Sequence, residues 1–111
     1  MSQNEKIDIT CVQIDQTMIA IPSEDIVGTI TPRISLIPST KDWFEGMCSH
    51  NDDVVPVYNL PVMINANVVA GKYTYLLINI GRGQLAAIAV TRIVTKFEMN
   101  ISDVIEYKSN G

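Results

Sequence analysis

One histidine and two cysteines are the whole stock of nitrogen and sulfur metal ligands in this sequence, and no CxxC or HExxH spacing organises them. A zinc centre needs several such ligands converging on one ion, so neither a resident metal nor a cofactor is expected. Cys11 and Cys48 make no disulfide framework, and reduced thiols in a cytoplasmic protein are the expectation. Positive charge is also scarce, with 8 Lys and Arg against 12 Asp and Glu and a net charge of -4. The basic residues are scattered, with no stripe to neutralise phosphates, which argues against nucleic acid. They form no basic amphipathic helix for an anionic membrane either. No apolar run reaches the ~18 residues that would span a bilayer, and MSQNEKIDITCV holds no signal-peptide core. Only 18% of the 111 residues are charged while 47% are hydrophobic. That balance excludes disorder. In one small domain it leaves apolar surface for a partner to cover.

Strand signals dominate what is present. Asp8–Asp15 alternates apolar and polar residues and can turn at Asp15-Gln16 into Thr17–Ile21. Pro22-Ser23-Glu24-Asp25 has the proline and acids of a helix start. Gly28 and the β-branched Thr29-Ile30-Thr31 limit that helix to one turn ending near Ile26. Pro32 and Pro38 bracket an extended segment, Arg33–Ile37. Val54–Leu60 is a strand with Pro56 inside it, which implies an edge, a bulge or a non-bonding position. Val62–Gly71 carries breakers and suits a loop or weak helix. Tyr73–Ile80 turns through Gly81-Arg82-Gly83 into Leu85–Val90, and Ile93–Met99 adds a further strand. Short strands with Gly and Pro punctuation and almost no helix predict an all-β barrel or sandwich.

The stretch GMCSHNDDVVPVYNL sets Cys48, His50 and Asp52 at i, i+2 and i+4, on one face if the chain is extended. As ligands they lack further partners. As a nucleophile and base, Cys48 and His50 lack an orienting group and an oxyanion hole. A polar loop between two strands accounts for the stretch more simply. A small Cys/His-dependent enzyme or metal protein stays open as an alternative, as does a self-assembling structural β-protein.

Gly81-Arg82-Gly83-Gln84-Leu85-Ala86 matches G-x-G-x-x-[GA] after a strand, with Asp103 further on as a dinucleotide fingerprint requires. The residues after Gly83 should then begin a helix, yet Ile88, Val90, Ile93 and Val94 favour strand. A hairpin turn is the better reading. Trp43-Phe44 suits a core or interdomain anchor, and Ala86, Ala87 and Ala89 suit close backbone packing. No enzyme emerges.

The order of features in residues 37–60 resembles the CheW family of chemotaxis coupling proteins, whose central stretch runs G-v-x-N-L-R-G-x-i-x-P-v-x-D-L. Trp43-Phe44-Glu45-Gly46-Met47 leads without a gap into Val54-Val55-Pro56-Val57-Tyr58-Asn59-Leu60. Gly46, Pro56 and Leu60 fall on the family's glycine, proline and leucine. Ile19-Ala20-Ile21-Pro22 followed by Ile26 is similar to the family's opening, and Ile88-Ala89-Val90 followed by Ile93 to its later strand. The resemblance covers about residues 9–99, within a single domain over residues 1–111. The family's N-L-R-G turn is rewritten as Ser49-His50-Asn51-Asp52, with Asn51 at the arginine. Asn59 stands at its aspartate, Thr91 at the aspartate after the later strand, and Gly28 at its early glutamate.

The resemblance implies a pair of small SH3-like β-barrels over a shared core, C-terminally shortened because this chain stops at Gly111. It implies a non-enzymatic cytoplasmic adaptor in a chemosensory pathway (chemotaxis, gliding or type IV pilus motility). Its partners would be a CheA-type histidine kinase, a methyl-accepting receptor, or both. Ser49, His50, Asn51, Asp52, Asp53 and Asn59 become the candidate protein-binding residues, with Gly46, Pro56, Leu60 and Trp43 structural. An incomplete barrel would expose an edge. Tyr73–Ile80 and Ile93–Met99 are expected to carry the open apolar faces, around Leu77 and Phe97, and a homodimer would cover them.

Overall fold

The computed structural model describes residues 5–38, 41–65 and 73–100. Lys6–Ile14 (β1) turns at Asp15-Gln16 into Thr17–Pro22 (β2), as the alternation predicts. Asp15 takes φ 56° there, a left-handed conformation that a short polar side chain tolerates. The expected turn of helix is a 3-10 turn, Ser23–Asp25, tied to β1 by Ser23 Oγ at 2.7 Å from Thr10 Oγ1. Then come Ile26–Ile30 (β3), Phe44–His50 (β4), Asp53–Asn59 (β5), a one-turn helix Leu60–Met63 (α1), Thr74–Gly81 (β6), Gln84–Val90 (β7) and Arg92–Asn100 (β8). The part of the loop or weak helix expected over 66–71 lies outside the described residues, as does Asp103.

The strands form two sheets, β2-β1-β8 and β3-β6-β7-β5-β4. Every pairing is antiparallel except β5 with β7, which is parallel over Val57–Asn59 against Ala87–Ala89. The larger sheet closes on itself. Ser35, in the extended segment leaving β3, donates its N–H to Met47 O at 2.8 Å and accepts from Met47 N–H at 3.0 Å. The chain that begins at one edge of the sheet thus pairs with β4 at the other. Irregularities at Ile26/Gly28, Phe44/Gly46 and Asn79/Gly81 supply the bends, since a bulge adds twist and kinks the strand. The result is a small five-stranded barrel.

Two apolar cores hold the molecule. Inside the barrel Cys48, Val55, Val57, Leu77 and Ala87 pack with Ile30, Ile34, Tyr75 and Leu85. Between the barrel and the three-stranded sheet Val12, Ile14, Leu76, Ile88 and Val90 pack with Ile19, Ile21, Tyr58, Leu60 and Ile93 among others. Successive residues on a strand point to opposite faces, so Leu76 serves one core and Leu77 the other. Ala86 through Val90 are all buried. Small side chains fit β7 because it has apolar neighbours on both faces.

Two expectations need correction. The strand holding Pro56 is not an edge, for β5 lies between β7 and β4. Pro56 opposes Met47, whose N–H and C=O are turned outward to Ser35. The missing proline N–H therefore points toward β7, where pairing begins only at Val57, so the non-bonding alternative is the one realised. Around Leu77 the strand begun at Tyr73 leaves no apolar face open either, and of its large apolar residues it is Ile80, at its end, that is exposed. β6 lies between β3 and β7, and Leu76 and Leu77 are both fully buried. β8 does form an edge, with Phe97 45% exposed. As the hairpin reading expects, the residues after Gly83 continue as β7 and not as a helix. The turn itself is only Arg82-Gly83, both at positive φ, and this rejects the dinucleotide reading.

Candidate functional site: the β4–β5 hairpin

The inter-strand turn expected over Ser49–Asp53 is narrower than that. Ser49 and His50 end β4, Asp53 begins β5, and Asn51-Asp52 alone make the turn, at φ 47° and 67°. Positive φ at both central positions is the type I′ geometry that matches strand twist, and Asn and Asp are among the residues that enter it most easily. Ser49, Asn51, Asp52 and Asp53 are exposed and His50 half-buried. Asn51 Nδ2 lies 3.3 Å from His50 Nε2. Beside the tip Val54 is 69% exposed. A shallow groove of about 880 Å³, bordered by Ile30, Pro32, Arg33, Met47 and Val54, runs along the outer edge of β4. The tip therefore offers two carboxylates, one imidazole and an apolar shoulder, a surface suited to protein contact.

This geometry does not support catalysis or metal binding. Cys48 is 5% exposed inside the barrel, and burial pushes its thiol pKa up, away from the thiolate a nucleophile needs. No hydrogen bond joins it to His50. Among the described residues no three His, Cys, Asp or Glu side chains converge.

Asn59 does not join the tip. It ends β5 six residues on, roughly 20 Å along the strand at about 3.3 Å per residue, and is only 4% exposed. Its Oδ1 accepts from Val62 N–H at 2.9 Å, capping α1, and its Nδ2 donates to Glu45 Oε2 at 3.1 Å. That is a structural role, and it corrects the expectation of a partner-binding Asn59. The Tyr75 hydroxyl donates to the same carboxylate at 3.0 and 3.2 Å. Burial, then the hydrogen bond to Glu45 and its charge, push the Tyr75 pKa well up. A raised folded-state pKa stabilises fully below the ordinary phenol value of about 10, and this contribution is lost as pH climbs beyond it. Asn59→Ala should cost about 2 kcal/mol, by loss of a cap and of a bond to a charged partner. Urea titration should show it as a lower midpoint with an unchanged slope.

No local pattern announces the Glu45–Tyr75–Asn59 cluster, since its members come from β4, β6 and the end of β5. The other structural candidates serve the same corner. Trp43 O accepts from Asn59 N–H at 2.6 Å, and the Trp43 and Phe44 rings lie 5.9 and 5.8 Å from Tyr58. Leu60 opens α1 and packs on the core between the sheets.

The described residues thus form a β-barrel module with an exposed β4–β5 hairpin tip. The family model of the CheW-like domain matches residues 8–111, and the chain belongs to that family, which is a non-enzymatic one. The match runs past residues 9–99, where the sequence resemblance was legible. The structure is similar to that of the scaffolding protein TtCheW from Thermoanaerobacter tengcongensis, with a TM-score of 0.77 at 16% identity over 88% of this chain and 68% of that one. The CheW fold is a pair of small SH3-like β-barrels, and the described residues form a five-stranded barrel and a three-stranded sheet of it. Among curated proteins none matches this sequence.

Proposed function

We propose that this chain acts as one CheW-like domain over residues 1–111, an adaptor in a bacterial chemosensory pathway. It docks on the regulatory domain of a CheA-type histidine kinase, on a methyl-accepting receptor, or on both, in the cytoplasm. The observation that carries this reading is the family match over nearly the whole chain. The β4–β5 hairpin supports it with an exposed tip at the family's N-L-R-G turn. Among the described residues no helix is long and apolar enough to cross a membrane.

Ser49, His50, Asn51, Asp52 and Asp53 are the docking residues in this reading, with Val54 as the apolar contact beside them. Asn51 replaces the family's arginine, and a neutral amide makes fewer charge-assisted bonds than a guanidinium. The chain therefore engages one of the two partners more tightly than the other. Calorimetry with the purified kinase regulatory domain and, separately, the receptor tip from the same cell tests this. Val54→Asp should weaken the tighter complex at least about tenfold, as removal of an interface contact worth more than 1 kcal/mol does, with the melting temperature held. Absence of binding to either partner would refute the adaptor role; binding unaffected by Val54→Asp would move the surface elsewhere.

A further inference from the structure

We infer that β8 pairs edge to edge with β8 of a second copy about a two-fold axis at Phe97, setting Lys96 of each chain opposite Glu98 of the other.

The backbone directions come first. Thr91 N–H donates to Gln13 O at 2.9 Å, so Gln13 turns its carbonyl toward β8. Alternation along β1 then turns Cys11, Ile9 and Ile7 the same way. Their partners are Thr95, Phe97 and Met99, past an irregularity at Cys11/Val12. Those three residues direct their N–H and C=O groups back at β1. Lys96 and Glu98, which lie between them, direct theirs away. β8 is the last strand of its sheet, so among the described residues these groups meet no strand. Such an edge is a template for another strand.

The register follows from the side chains. An antiparallel two-fold pairing centred on Phe97 places residue 96 against 98 and 98 against 96. Both are hydrogen-bonding positions, so the outward groups satisfy each other. The same register brings a lysine opposite a glutamate twice, an attractive cross-strand pair. Phe97, 45% exposed, faces its own copy at the closely spaced non-hydrogen-bonded position, where aromatic pairs are favourable. Glu98 stands across β1 from Asp8, and among the described residues its one ion pair is with Lys6, 3.3 Å away. Lys96 of the second copy would bring a further cation opposite it. Centring the axis on Lys96 or Glu98 instead would oppose like charges, so the sequence favours one register.

Sedimentation equilibrium of the full 111-residue chain, from micromolar to near-millimolar, tests this. Wild type should dimerise, and more weakly as salt is raised. Lys96→Glu and Glu98→Lys should each weaken dimerisation at least tenfold, because each sets like charges opposite one another. Mixed together, the two variants should restore it, since every pair in the mixed dimer is complementary. Circular dichroism confirms that each variant is folded. A wild-type monomer throughout, or two single variants that dimerise like wild type, would overturn the inference. So would folded variants whose mixture shows no gain.

Discussion

Gly46→Ala is expected to destabilise the protein by roughly 2–5 kcal/mol, enough to consume much of a small domain's stability. Gly46 holds φ +139°, and a Cβ there would run into the Ser35 carbonyl oxygen. An L-residue is strained in that backbone region by about 1–3 kcal/mol. Relief means moving the Ser35 backbone, and with it the Ser35–Met47 hydrogen bonds that close the barrel, worth about 0.5–1.5 kcal/mol each. Gly28 is the internal control, because an added Cβ there meets nothing within 4 Å. Gly28→Ala and Asp53→Ala should each stay within about 0.5 kcal/mol of wild type. Thermal melts that shift equally for Gly46, Gly28 and Asp53 would show that barrel closure does not depend on this contact.

Leu77→Asp should abolish the fold outright. Leu77 is 0% exposed between Val55, Val57 and Ala87. Truncating such a leucine to alanine costs about 2–5 kcal/mol. A carboxylate adds the cost of a buried group with no partner. Phe97→Asp changes an exposed position on the β8 edge, and it should leave a cooperatively melting protein. The two substitutions therefore part company, one unfolding the chain and the other altering only its surface. A Leu77→Asp variant with a wild-type near-UV spectrum and melt would mean the barrel interior is wetter than its packing implies.

Strands with a one-sided environment were the legible ones. β1 and β2 alternate because one face meets a core, and Arg82-Gly83 marks a hairpin because its geometry needs positive φ. β4 was harder to see, since Phe-Glu-Gly-Met-Cys-Ser-His carries little intrinsic strand preference. It is a strand because Ser35 and β5 bond it from either side, and tertiary context overrides propensity. For Pro56 the sequence leaves an edge, a bulge and a non-bonding position open, because nothing local says where β7 starts to pair. Asn59 is hidden from a local reading for a similar reason. Its burial depends on Glu45, fourteen residues away, and on a helical turn whose cap it forms. At the hairpin tip the local signal was sufficient, for Asn-Asp in a two-residue turn is exposed on almost any scaffold.

β7 belongs to both cores at once, and this has a consequence for how the molecule comes apart. A segment common to two packing units cannot be released from one while the other stays intact. Its backbone opens only when the whole structure does, so the two halves behave as one foldon with a single free energy of opening. A load applied at the β4–β5 tip is accordingly shared with the sheet that carries β8, through a strand that sets Ala87 in one core and Ile88 and Val90 in the other.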